Sequence, residues 1–491
     1  MLLKRIYYER LAQASYLVGC SATGEALVID PNRDVEQYIR AASAEGLRVT
    51  HVTETHIHAD FVSGSRELAQ RAGAALLLSD EGDADWKYQF ATQAKAVLLR
   101  DGYQFMVGNL RIDVMHTPGH TPEHLTFIVT DTPATDRPMG AFTGDFIFVG
   151  DVGRPDLLEK AANVQGSMIA GARTLYRSIE RFKAMPDYLQ LFPGHGAGSA
   201  CGKALGAVPS TSLGYEKIAN WGLTVRDEAE FVQMVLAGQP EPPRYFAEMK
   251  RVNKEGPSIL GAFEAPVRLP FARLGPLLAS SAIVIDTRSA AAFARGHVPG
   301  TINVPINKSF STWVGWLVPY GQPFHLIVDA DEASRATEAV RDLAMIGLDD
   351  MAGYWSADVI REWADTGRSL GTVPQLTVAE AATRLASGNL TLLDVRGRAE
   401  WEVGHVPGAK HIPVGYLTEH LGEIARDTPV AVHCQSGARS AIAASVLRAH
   451  GFTNVANVSG GFDAWQAARQ PIEAAARQPI EVSSTAVLAG P

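Results

Sequence analysis

Four short stretches of this sequence set a metal-ligating side chain beside glycine or proline. They are Thr55-His-Ile-His-Ala-Asp60, Pro118-Gly-His120-Thr-Pro122, Thr143-Gly-Asp145 and Pro193-Gly-His195-Gly196. Imidazole and carboxylate together suit zinc, iron or manganese. His56, His58 and Asp60 alternate, so a strand end or turn brings them to one pocket. A lone histidine is more often structural, but four such elements point to a metal centre. A second chemistry lies at Val432-His-Cys434-Gln-Ser-Gly-Ala-Arg439-Ser440, a loop leading into a helical run. There Cys434 meets the backbone N–H groups of Gln435, Ser436, Gly437, Ala438 and Ser440 and the positive end of a helix, which stabilise a thiolate or its persulfide. Gly437 permits the curvature and Arg439 adds charge. A phosphatase loop would place five residues between cysteine and arginine; Cys434 and Arg439 are separated by one fewer, which suits a sulfur substrate.

Two further residues invite a role. Cys201 follows His195 in a glycine-rich loop, with Lys203 nearby to favour a thiolate, and is expected to carry or position sulfane sulfur. That loop is no phosphate-binding Walker motif, because Ala197 and Ala204 stand at required positions. Arg154, in Gly150-Asp-Val-Gly-Arg154-Pro-Asp156, is a candidate grip for an anionic substrate, a structural brace being the alternative. Cys20 sits in an apolar strand-like run and reads as core.

These side chains need elements to hold them. Ala26–Asp30 and Phe127–Thr130 read as buried strands, and Glu67–Ala74 and Ala161–Ala184 as helices. The proline-rich Gly238–Pro243 and the Gly256-Pro257 pair mark a domain edge. Beyond it the sequence repeats. Asp286, Arg288, His297 and Pro305 recur 108 residues later as Asp394, Arg396, His405 and Pro413. Each copy predicts a small α/β domain with a mostly parallel sheet. Aligning Arg335 with Arg439 sets Ala330 opposite Cys434, with Asp331 and Glu332 where an anion should sit. The first copy therefore has no nucleophile and reads as a scaffold. Ser440–Ala449 is expected to be helical, and the alanine- and proline-rich stretch after 475 a loose tail.

Composition excludes other classes. The 491 residues suggest about three domains at roughly 150 residues each. With 44 basic and 53 acidic residues the net charge is −9, which disfavours nucleic acid. No apolar run reaches the ~18 residues of a membrane helix. Three cysteines make no disulfide framework, and no secretory leader is evident, so a cytoplasmic protein is expected.

The metal motifs resemble the metallo-β-lactamase superfamily over roughly residues 1–250, with Phe61 where that signature usually has a further histidine for a second metal. Within it they are similar to the mononuclear persulfide dioxygenases. That resemblance implies one non-haem Fe(II) per chain held by His56, His120 and Asp145, with His58, Asp60 and His195 around them. Asp394-x-Arg396, Gly404-His-Val-Pro-Gly408, the Cys434 loop and Gly460-Gly-Phe-Asp-Ala-Trp465 resemble rhodanese sulfurtransferases over about residues 376–470. The expected architecture is an α/β chain: an αββα metallo-β-lactamase sandwich (1–250), a linker (251–265), a degenerate rhodanese-like domain (266–370), an active one (376–475) and a tail (476–491). The resemblance implies oxidation of a thiol persulfide by O2 to sulfite, then transfer of sulfane sulfur by Cys434 to sulfite, giving thiosulfate. A homo-oligomer is expected. The alternatives are a glyoxalase II-like zinc thioesterase fused to a sulfurtransferase, and a non-enzymatic sulfur relay or sensor.

Overall fold

The computed structural model describes residues 1–160, 166–203, 205–329 and 332–474. They divide into two compact units, one of Met1–Pro242 with Phe246–Gly261, the other of Pro243–Tyr245 with the chain from Ala262 onward.

The first unit is built on two six-stranded sheets, in each of which the strands neighbour one another in chain order. Strand periodicity explains the layering. In Gln13–Cys20, Tyr16 and Val18 enter the core between the sheets, with Phe127 and Phe142 from the second sheet, while Leu17 turns to the outer face. In Glu25–Ile29, Leu27 and Ile29 face inward, and Ala26 and Val28 outward. The outer face of one sheet is covered by the helices Val35–Ala44 and Ser65–Ala72, and that of the other by Ser167–Phe182 and Glu228–Leu236. This is the αββα sandwich. The expected strands and helices lie where the sequence placed them to within a few residues, although 161–165 fall outside the described residues.

The second unit holds two all-parallel sheets. The first runs Ile302–Asn303, Ile283–Asp286, Phe324–Val328, Met351–Ser356. The second repeats that order as Lys410–His411, Thr391–Asp394, Val430–His433, Val455–Val458, and adds Gln375–Leu376 at its edge. The repeated motifs build the same brace twice. Arg288 binds the Asp286 carboxylate (2.6 Å) and the Gly296 carbonyl; Arg396 does the same with Asp394 (2.6 Å) and Gly404. His297 stacks on Phe293 and His405 on Trp401. The shared motifs thus encode a scaffold, and chemistry rests on what differs. Ala330 and Asp331 lie outside the described residues, as does the tail from 476.

One boundary is corrected. Much of the stretch expected as a linker packs onto the first unit: Arg66 donates to the Pro257 carbonyl, and the N–H groups of Leu260 and Gly261 donate to Glu67. Glu67 is buried, so those donors are what makes its burial tolerable. Among the described residues no helix is long and apolar enough to cross a membrane.

Candidate functional site

The metal-type residues all sit on loops that follow strand ends: His56, His58 and Asp60 after Arg48–Thr53, His120 after Leu110–His116, Asp145 after Gly140–Gly144, His195 after Gln190–Pro193. One ligand atom each from His56, His120 and Asp145 lies within 4.8 Å of the others, and all three residues are buried. Nε2 of His56 is 3.9 Å and Nε2 of His120 3.6 Å from Asp145 Oδ2.

Hydrogen bonding leaves those nitrogens bare. Thr55 donates its hydroxyl to Asp30 (2.9 Å), so its oxygen accepts from His56 Nδ1 (2.9 Å). His120 Nδ1 donates to the Arg154 carbonyl (3.1 Å). Both Nε2 atoms are then lone-pair donors, oriented by their partners. Burial holds His56 well below the usual histidine range and lowers His120 to about 3, so both imidazoles are neutral. Burial also pushes Asp145 up to about 6; the Cys201 thiol hydrogen-bonds to its side chain, and among the described residues no N–H or O–H reaches either of its oxygens. A buried carboxylate without such donors, facing two bare imidazole nitrogens, fits a divalent cation. Gly153 must be glycine here, because a Cβ would overlap the Asp145 carbonyl and crowd His120.

The surrounding residues divide differently from expectation. Burial alone would lower His58, but the carboxylates of Asp30, Asp60 and Glu54 outweigh it and carry the imidazole to about 9. Its Nε2 donates to Asp30 (3.0 Å), and its ring packs 4.3 Å from Phe61. His195 donates from Nδ1 to the Ala12 carbonyl and turns Nε2 to Asp60 (3.3 Å) and Asp145 (3.4 Å). Asp60, His195 and Cys201 form a second group of potential ligands within 4.8 Å. Cys201 thus joins the centre, but not as a thiolate helped by Lys203. Burial and the nearby carboxylates of Asp60 and Asp145 hold it well above the usual thiol range, while Lys203 donates to the Met234 and Ala237 carbonyls. Arg154 takes the second of its two readings, the brace. It is fully buried, clamps Asp156 through two nitrogens (2.9 and 2.7 Å) and donates to the Ala200 and Pro240 carbonyls. It braces the loops around His120 and leaves no surface for substrate.

Sequence reasoning missed Asp30 and His124. Asp30 serves both Thr55 and His58; it closes the strand-like run ALVID, where its charge was the signal. His124, four residues beyond His120, accepts from the Asp145 backbone N–H (3.2 Å).

In the cysteine loop, one of the expected backbone donors, the Gly437 N–H, reaches the sulfur. Cys434 is buried and its sulfur accepts the Gly437 N–H (3.1 Å) at the start of Ala438–Ala449. Arg439 reaches Glu400 through both terminal nitrogens (2.6 Å each). Burial alone would lower its guanidinium; Glu400 and Cys434 raise it instead. Gln435 donates to Asp463 (2.5 Å), and Ser440 to the Gly437 carbonyl (3.1 Å). Ser436 and Ala438 form the exposed rim. The floor is the Gly460-Gly461 turn: Phe462 N–H donates to the Cys434 carbonyl (2.7 Å), and Gly461, at φ 58°, passes so close to that carbonyl that a Cβ would overlap it. Glu400 and Asp463 were not foreseen. In the first copy, Arg335 is paired with Glu338 on its own helix instead.

Comparison with known proteins agrees with this geometry. The metallo-beta-lactamase superfamily model matches residues 8–195. The structure of a metallo-beta-lactamase from Staphylococcus aureus is 43% identical, with a TM-score of 0.65, and the match covers 72% of this chain and 98% of that one. The chain belongs to the metallo-beta-lactamase superfamily. Among curated superfamily relatives, a probable metallo-hydrolase of Burkholderia pseudomallei is 33% identical over 37% of this chain and 67% of its own. A mitochondrial persulfide dioxygenase of Bos taurus is 28% identical over 40% of this chain and 68% of its own. The chain spans between 53% and 68% of the length of the first curated relatives it matches. A rhodanese-like domain model matches residues 377–468, so this metallo-beta-lactamase-fold chain also carries a rhodanese-like domain.

Proposed function

We propose that the first unit oxidises low-molecular-weight thiol persulfides with O2 to sulfite at one iron, and that Cys434 passes sulfane sulfur to sulfite to give thiosulfate. The carrying observation is the His56–His120–Asp145 set, two neutral imidazoles and one carboxylate converging on one point. Such a triad leaves positions open for substrate. Fe(II) held there would supply the redox chemistry that brings O2 to the terminal sulfur. Phe61, fully buried against His58, fills space where a further ligand would be needed for two metals. Of the two roles expected for Cys201, its protonated thiol beside Asp60 and His195 supports positioning the sulfane sulfur and not carrying it.

In the rhodanese-like domain, the Cys434 thiolate attacks the sulfane sulfur of a persulfide and releases the thiol. The Gly437 N–H and the Arg439 charge hold the resulting cysteine persulfide. Sulfite then attacks the outer sulfur, thiosulfate leaves and the thiolate returns. A second reading, a two-metal hydrolase, draws on the Asp60–His195–Cys201 group. Metal analysis after anaerobic purification separates them. About one iron per chain is expected; two zinc ions per chain with thioester hydrolysis would establish the hydrolase.

A further inference from the structure

The loop carrying His56, His58 and Asp60 has almost no regular structure between Thr53 and Ser65, yet nearly all of it is buried. Its backbone groups must find partners that are neither water nor a sheet. Ile57 N–H donates to Glu123 (2.7 Å), and the Ser63 and Ser65 hydroxyls donate to Glu54. The last turns of the loop are held by a single side chain from elsewhere in the chain. Asn253, on the helix Tyr245–Glu255, donates from Nδ2 to the carbonyls of His58 (2.8 Å) and Phe61 (2.7 Å), and accepts from the Ser63 N–H (2.8 Å) on Oδ1. Asn253 is 1% exposed. The two carbonyls and the N–H fix its amide in one orientation.

We propose that Asn253 is a positioning residue for the metal centre, a clamp that sets the direction in which the His56–Asp60 loop presents its ligands. Asn253 lies beyond residues 8–195, the part matched by the superfamily model. The clamp thus comes from the later segment that folds back onto the first unit, and that segment is part of the centre's construction. Three hydrogen bonds to one loop within six positions leave it one backbone path. A carboxylate at 253 would accept from Ser63 but would confront two carbonyls with no proton to offer. The proposal rests on the metal reading of His56, His120 and Asp145, and is independent of the reaction catalysed there.

The test is cobalt(II) titration of the metal-free full chain, read by the visible absorption of the bound ion and by competition with a chelator. Asn253→Asp and Asn253→Leu are expected to weaken cobalt binding by roughly tenfold to a hundredfold and to alter the absorption band, as loss of an orienting partner does. Asn253→Gln keeps the amide and serves if either variant fails to fold. Leu27→Ala, a cavity in the core between the sheets, is expected to lower Tm and leave cobalt affinity unchanged. Asn253 variants that bind cobalt with wild-type affinity and spectrum would overturn the proposal. So would an equal loss in Leu27→Ala, since the effect would then be general destabilisation. If the wild-type chain bound no cobalt, the metal reading itself would fall. The clamp would then be read by amide hydrogen exchange over residues 57–63, where unchanged protection in Asn253→Leu would overturn it.

Discussion

At the scale of single residues, burial keeps His56 and His120 neutral, and the same physics appears in the scaffold. His297 is buried on Phe293, and burial lowers it to about 4 from a usual 6.5. Because its folded value is depressed, the unfolded chain takes the proton first as pH falls. The stability linked to this group is present above pH 6.5 and is lost between there and about 4, up to about 3 kcal/mol. Urea unfolding at pH 7.5 and 4.5 is expected to show a larger loss in the wild-type chain than in His297→Gln; parallel losses would contradict the assignment. His297 and its repeat partner His405 were legible as a motif but not as a role. Identity between copies marks whatever both copies need, and both need the Asp–Arg and aromatic–histidine brace. For Arg154 the sequence left grip and brace open for a related reason. A guanidinium in a loop beside a metal site suits an anion, and only the fold shows its nitrogens committed to Asp156 and two carbonyls.

At the scale of elements, the site-bearing loops were readable because glycine and proline punctuate strand ends, and the short continuous apolar runs at Ala26–Asp30 and Phe127–Thr130 marked strands covered on both faces. What pairs with a loop from a distant part of the chain was not readable. Glu400 reaches Arg439 across 39 residues, and Asn253 reaches Phe61 across 192. The Cys434 loop depends on such a contact at Gly461, where the Gly460-Gly461 turn lies against the Cys434 carbonyl. Gly461→Ala adds a methyl where there is no room, at φ 58°. The domain is expected to stay folded with the loop displaced, and sulfur transfer through Cys434 to fall by roughly a hundredfold, the order of loss that small misplacements cause. Steady-state transfer to sulfite measures it, and wild-type turnover would show that the turn does not set the loop.

At the scale of the whole molecule, the His56–His120–Asp145 group and Cys434 belong to different compact units. Joining two such centres in one chain raises the effective concentration of an intermediate passed between them. It also makes the two chemistries separable by substitution, which gives the most direct test of the account. The measurement is oxygen uptake by the iron-loaded, full-length Cys434→Ser protein supplied with glutathione persulfide, with sulfite and thiosulfate assayed together and the spontaneous reaction subtracted. The predicted result is persulfide-dependent oxygen consumption equimolar with sulfite, and no enzymatic thiosulfate. Absence of oxygen uptake, or thiosulfate formed at the wild-type rate, would contradict it.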